Sequence, residues 1–262
     1  MSLKYTVLAF AIALPAIAIL AQSPHAKLAA VASASAKPPM PTKLKFLNPA
    51  DIDPAQLLPA PAKDGSDVQQ TEMSAVKNLI HTRSKERYAE ATWDARHEDP
   101  TPFAAVIGSN FDLTKLPATA KLLKDVLNDQ TVVTSEAKDF FKRRFPVAAE
   151  QPGESYREWT CDAADRKPSA LPLRSYPSGH ATMAYTFGVV LAALIPEKSQ
   201  AILARSASYA YSREICGDHY HSDVEAGHVL GTTLGVLLLN SPNMRSEIQA
   251  SKAELRAAQI TK

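Results

Sequence analysis

An all-α, single-domain helical bundle is the fold this sequence predicts, on three observations. Apolar residues recur at helical spacing along most of the chain beyond residue 64, few windows alternate with period two, and Gly-Gly or Asn-Gly hairpin signals are absent. Nineteen prolines against nine glycines suit helices joined by stiff connectors better than a turn-rich β protein. With 262 residues, 45% hydrophobic and 21% charged, the chain is long enough for one sizeable core and too well patterned for disorder. A formal charge of +2 excludes the global basic field that nucleic-acid binding needs, so any anion site is local.

The elements follow in order. Residues 1–36 begin with Lys4, continue with the apolar run Thr6 to Ala21 and end in Ala/Ser repeats, the sequence of a secretory signal with cleavage between 21 and 36. A single membrane anchor is the competing reading, disfavoured because the run falls short of the ~20 residues of a spanning helix. Losing Lys4 and Lys27 with this segment leaves a mature chain of zero formal charge, expected in the periplasm or outside the cell and without stable membrane insertion. Residues 37–63, with PPMP, NPADIDP and LLPAPA, read as a Pro-rich extended arm, and 64–262 as the helical domain. Met73, Val76 and Ile80 recur after Asp67, read as an N-cap; Leu122, Leu123, Val126 and Leu127 follow Pro117. Ser135 is expected to cap a helix running to about Arg144 and stopped by Pro146. Further helices are expected over 180–195, 198–213, 219–239 and, more polar, 246–259.

Four of the seven histidines fall within 138–228. Ser178-Gly179-His180 stands just ahead of an apolar helix, where a hydroxyl, a close-approach glycine and free N–H groups make an anion cradle; a plain Ser-capped turn is the other reading. If the next helix begins near Asp218, His219 and Asp223 stand at i and i+4, and the carboxylate fixes the imidazole tautomer, leaving the other nitrogen as nucleophile or base. Arg213 offers a fork that suits two phosphate oxygens. His219-x-His221-x-Asp223 also resembles a metal-ligand spacing, but Val224 follows and no second cluster completes a site, so no metal and no cofactor are expected. His221 and His228 are read as packing or rim residues. The two cysteines, Cys161 and Cys216, would tend to pair in an oxidising compartment, two buried thiols being the alternative.

Taken together, Lys138, Pro177-Ser178-Gly179-His180 and Ser212-Arg213-x5-His219-x3-Asp223 resemble the three-part signature of the type 2 phosphatidic acid phosphatase (PAP2) superfamily. Within it, SYPSGHATMAY, SREICGDHYHSDVEAGHVLG and the two cysteines are similar to the class A bacterial nonspecific acid phosphatases. The resemblance implies the helical bundle shared by PAP2 enzymes and vanadium haloperoxidases, and an exported, metal-independent phosphomonoesterase. It also implies roles: His219 attacks phosphorus, Asp223 holds its ring, and His180 protonates the leaving group. Lys138, Ser178, the Gly179 amide and Arg213 then hold the phosphoryl oxygens. Small phosphomonoesters are the implied substrates, and a homo-oligomer is compatible with the family.

One departure stands out. Where the signature's first part has Arg before its Pro, this chain has Phe145 before Pro146. Arg144 is the neighbouring candidate for phosphate binding, although an ideal helix points it roughly 120° from Lys138, and Lys142 at i+4 shares the face of Lys138. Alternatives to the phosphatase are a degenerate, non-catalytic anion-binding relative, suggested by Phe145, and a vanadium-dependent haloperoxidase with the same anion site.

Overall fold

The computed structural model describes residues 40–150, 159–161 and 170–262; the signal-like segment 1–36 lies outside them. Among the described residues there are helices and no strands. The helices are α1 (Pro54–Leu57), α2 (Asp67–Thr82), α3 (Lys85–Ala95), α4 (Ala104–Ile107) and α5 (Pro117–Phe141), followed by α6 (Pro146–Glu150), α7 (Gly179–Leu194), α8 (Ser199–Cys216), α9 (His221–Asn240) and α10 (Arg245–Ala257). None is long and apolar enough to cross a membrane.

α7 is the central helix because almost its whole circumference is apolar or small: Ala181, Ala184, Phe187, Val190, Leu191 and Leu194 are all buried. It packs against α9, α8 and α5. Close approach of α9 depends on Gly227, Gly231 and Gly235, which repeat every four residues along one face. A Cβ at Gly227 would come within 2.7 Å of the Ser178 carbonyl oxygen, and one at Gly235 within 2.6 Å of Val189 Cβ. These glycines set the distance between the two helices whose N-termini build the site.

α5 runs unbroken from Pro117 to Phe141, so Ser135 is a helix-interior residue rather than the cap expected of it. Its hydroxyl accepts a hydrogen bond from Arg174 at 2.6 Å. The helix start is capped from a distance instead: the Glu254 carboxylate on α10 accepts from the Ala118 and Thr119 amides at 3.0 and 2.8 Å. The helix ends at Lys142, whose left-handed φ of 50° turns the chain before Pro146.

From Met40 onward, the stretch read as a Pro-rich arm belongs to the same compact unit as the helices. Phe46, Leu47 and Leu58 are buried in the main core. The buried Asp129 of α5 accepts from the Lys45, Phe46 and Leu47 amides at 2.6, 2.8 and 3.0 Å, which ties the segment down. Cys161 and Cys216 form a disulfide, Cα to Cα 5.1 Å, joining the Trp159–Cys161 segment to the end of α8.

Candidate active site

Four chain segments converge at one end of the bundle. α8 stops at Gly217, whose φ of 77° and amide bond to the Glu214 carbonyl turn the chain out of the helix. A side chain at Gly217 would also meet Ile80 and the Trp159 carbonyl. The turn places Arg213 in the last turn of α8, leaves His219 in the connection and starts α9 at His221.

His219 is therefore outside the helix, and its pairing with Asp223 is not the i,i+4 contact of one helical face. Asp223 is the third residue of α9, and its Oδ2 accepts from the Tyr220 amide at 3.1 Å as a capping carboxylate. The same oxygen lies 3.3 Å from His219 Nδ1 and accepts from Ser175 Oγ at 2.6 Å. Asp223 has no solvent exposure. Donors from His219, Arg143 and Ser175 outweigh the opposing burial and hold its carboxyl below the usual range. With Nδ1 committed to the carboxylate, Nε2 is the remaining nitrogen of His219.

Ser178 caps α7, and its own amide donates to the Asp223 carbonyl at 2.8 Å, so the starts of α7 and α9 are fixed to each other. Gly179 and His180 follow in the first turn of α7, and Lys138 lies alongside: a Cβ on Gly179 would be 3.6 Å from Lys138 Cε. Lys138 Nζ donates to the Arg174 carbonyl at 2.5 Å. Burial, with Arg174 and Arg213 nearby, pulls its ammonium down to about 7 despite Asp223. His180 Nε2 faces the Ala95 carbonyl at 3.4 Å and Glu98 at 3.3 Å. Burial first, then Arg213, His219 and Lys138, push its imidazole well below the ordinary 6.5. His219 is lowered too, chiefly by burial, with Asp223 opposing.

Arg213 is buried, and Asp218 takes one of its nitrogens, Nη2, at 2.8 Å. Its Nε and Nη1 are buried without a partner among the described residues. Unsatisfied guanidinium donors inside a protein are costly unless something accepts from them, and an oxyanion has the chemistry to do so. Asp218 is itself oriented by Thr160 Oγ1 at 2.6 Å, next to the disulfide.

The basic run after α5 behaves differently from expectation. Arg144 lies half exposed, its Nε 3.4 Å from Asp64, and does not join the site. Lys142 is spent on the left-handed turn. Because that turn breaks helical phase, Arg143 goes inward instead: it is buried, and its Nη1 donates to Asp223 Oδ1 at 2.7 Å while Nη2 reaches Glu72 at 2.5 Å. Phe145 puts its ring 5.4 Å from the His219 ring. Arg143, Glu72 and Ser175 are the members of the site that sequence reasoning missed. The run Lys142-Arg143-Arg144 was the available signal, but only the turn decides which cation enters.

The metal spacing does not assemble. His219 turns to Asp223, while His221 is at the surface with Nδ1 3.0 Å from Glu214. Cys161, Cys216 and Asp218 do converge, but both sulfurs are consumed in the disulfide. His228 stacks on Tyr185 at 3.9 Å, away from the chemistry.

Comparison with known proteins places this geometry. Residues 120–247, which hold the whole set from Lys138 to Asp223, match the PAP2 superfamily. The chain is similar to an acid phosphatase of Zymomonas mobilis, 30% identical over 213 residues, 80% of this chain and 78% of that protein. It is also similar to a non-specific acid phosphatase of Providencia stuartii, 28% identical over 211 residues, 79% of this chain and 82% of that protein. Among solved structures it is similar to a transmembrane PAP2 type phosphatidylglycerolphosphate phosphatase from Bacillus subtilis. That likeness has a TM-score of 0.47 and 17% identity, covering 67% of this chain and 86% of the other. On the extent and identity of the first of these matches, the chain belongs to the PAP2 superfamily.

Proposed function

We propose that this protein is an exported acid phosphatase that hydrolyses small phosphomonoesters, without a metal, through a phosphohistidine at His219. The observation that carries the reading is a pinned imidazole beside cationic donors: His219 Nδ1 on Asp223, and the buried Arg213 with two nitrogens lacking a partner among the described residues. Nε2 of neutral His219 attacks phosphorus as the ester P–O bond breaks, and His180 in its protonated form gives its proton to the departing oxygen. Neutral His180 then takes a proton from water, which attacks phosphorus, breaks the P–N bond and releases inorganic phosphate. Lys138, Arg213, the Ser178 hydroxyl and the Gly179 amide carry the phosphoryl oxygens, where charge accumulates. The acid phosphatases among its relatives support hydrolysis of phosphate esters.

A second reading, an anion-binding relative without turnover, is favoured by one observation, Phe145 in place of an arginine beside His219. Hydrolysis of p-nitrophenyl phosphate in EDTA separates the two, with vanadate added as a trigonal-bipyramidal mimic. Turnover that persists in EDTA and is inhibited by vanadate is expected. Absence of turnover, restored by Phe145→Arg, would favour the second reading, and vanadate-dependent oxidation of a halide by added peroxide, with no phosphate release, would point to peroxidase chemistry.

A further inference from the structure

Arg143 is a buried cation at the site, and its Nε has no hydrogen-bond partner among the described residues. Both of its terminal nitrogens are used inside the protein: Nη1 on Asp223 and on Ser222 Oγ at 2.8 Å, Nη2 on Glu72. Its guanidinium lies 4.0 Å over the Tyr220 ring, whose hydroxyl accepts from Gln69 on α2 at 3.0 Å. Glu72 also accepts from the Ser222 amide at 3.1 Å, and the Arg143 carbonyl accepts from the Ser175 amide at 3.0 Å. Arg143 thus contacts Asp223 directly and also holds the residue, Ser175, that donates to the other oxygen of Asp223.

Resting on the phosphohistidine reading above, we infer that Arg143 and Glu72 form a positioning pair for the nucleophile, setting both the orientation of Asp223 and the share of its charge felt by His219. Asp223 divides its negative charge between Arg143 on Oδ1 and His219 on Oδ2. A stronger Arg143 claim weakens the stabilisation of protonated His219 and keeps the nucleophile neutral at lower pH; Glu72 moderates that claim by taking the other end of the guanidinium. The further charged groups bearing on His219 are Lys138 from α5 and Arg213 from α8, both lowering it, with His180 of α7 facing it. Glu214 of α8 acts on Asp223 from farther off, with its own carboxyl raised by burial. None of these is bonded to the Asp223 carboxylate as Arg143 is.

The two partners have opposite expected effects, which a purely structural role would not produce. Arg143→Gln removes the competitor for Asp223, so protonated His219 is favoured and its pKa rises by about one unit, moving the acidic limb of kcat/KM to higher pH. With the carboxylate less firmly aimed, kcat falls roughly ten- to hundredfold while KM changes little. Glu72→Gln leaves the whole Arg143 charge to Asp223, so the His219 pKa falls and the acidic limb moves to lower pH. Arg143→Lys, which keeps the charge without the fork, recovers the wild-type His219 titration more than it recovers kcat.

The deciding experiment is an NMR titration of the His219 imidazole in the wild type, Arg143→Gln, Glu72→Gln and Arg143→Lys, beside pH profiles of p-nitrophenyl phosphate hydrolysis. Shifts of opposite sign in the two glutamine variants support the pair. Shifts of the same sign, or none in either, overturn it. Should Arg143→Gln fail to fold, the sign of the Glu72→Gln shift decides alone. The titration needs no turnover, so an inactive wild type would remove the phosphatase reading while leaving this inference to stand or fall on the imidazole shifts.

Discussion

In the proposed mechanism the two histidines work in different protonation states, and their surroundings fix where on the pH scale that is achieved. His219 attacks only when neutral and His180 donates only when protonated, while burial has pushed both below their ordinary 6.5. Activity is lost on the acid side as His219 takes up a proton and on the alkaline side as His180 loses one. The kcat/KM profile is therefore expected to be a bell with its maximum below about pH 6.5, measured with p-nitrophenyl phosphate across about pH 4 to 8. In the proposed mechanism Arg213 acts by a different route, offering Nε and Nη1, which have no acceptor among the described residues. Arg213→Lys keeps a charge and loses the fork, so kcat/KM is expected to drop by roughly 10² to 10³ in steady-state assays with a near-native unfolding midpoint. The residue types at positions 178–180, 213, 219 and 223 were legible in the sequence because each carries its chemistry in its identity. Arg143 and Glu72 were not, because 71 residues separate them and only folding brings their carboxylate and guanidinium together.

Helices matter to this site mainly through their ends. α7 and α9 start side by side, joined by the Ser178 amide on the Asp223 carbonyl, and the glycines of α9 let that junction close. Gly227→Ala and Gly235→Ala each force a Cβ into an occupied contact and are expected to cost about 1–3 kcal/mol in denaturant unfolding. Their kinetics should differ. Gly227 abuts the Ser178 carbonyl, so its substitution displaces the phosphate cradle and raises KM, whereas Gly235 meets Val189 two turns farther along and leaves KM unchanged. Equal kinetics in the two variants would contradict this division. Periodicity disclosed the central helices, since α7 and α9 are long and strongly patterned, but it misjudged ends. A Ser at 135 looks like a cap in isolation, yet it lies inside α5, whose true start is capped by Glu254 across 136 residues. His219 and Asp223 have helical spacing, yet the pair forms across a helix start because Gly217 ends α8 and Tyr220 caps α9.

At the scale of the molecule, the site is held by connections that close long stretches of chain. The disulfide spans 55 residues and lies next to the Thr160 to Asp218 to Arg213 chain of hydrogen bonds. On the chain-entropy argument it contributes about 4 kcal/mol. Reduction is expected to lower the denaturant midpoint accordingly and to weaken inhibition by inorganic phosphate, because Asp218 loses the support that aims Arg213. Two cysteines in a chain with a signal-like start made this pairing the natural expectation. The docking of residues 40–63 was hidden, since a Pro-rich segment reads as extended whether or not Asp129 waits to receive its amides. In the proposed mechanism His219 becomes phosphorylated in every turnover. The most direct measurement is acid-free chemical quenching of the protein during p-nitrophenyl phosphate turnover, followed by mass spectrometry of its peptides. A phosphoryl group on His219, absent from His219→Ala and accumulating in His180→Ala, is the predicted result. Steady turnover with no phosphoryl group on His219, or turnover undiminished in His219→Ala, would contradict it.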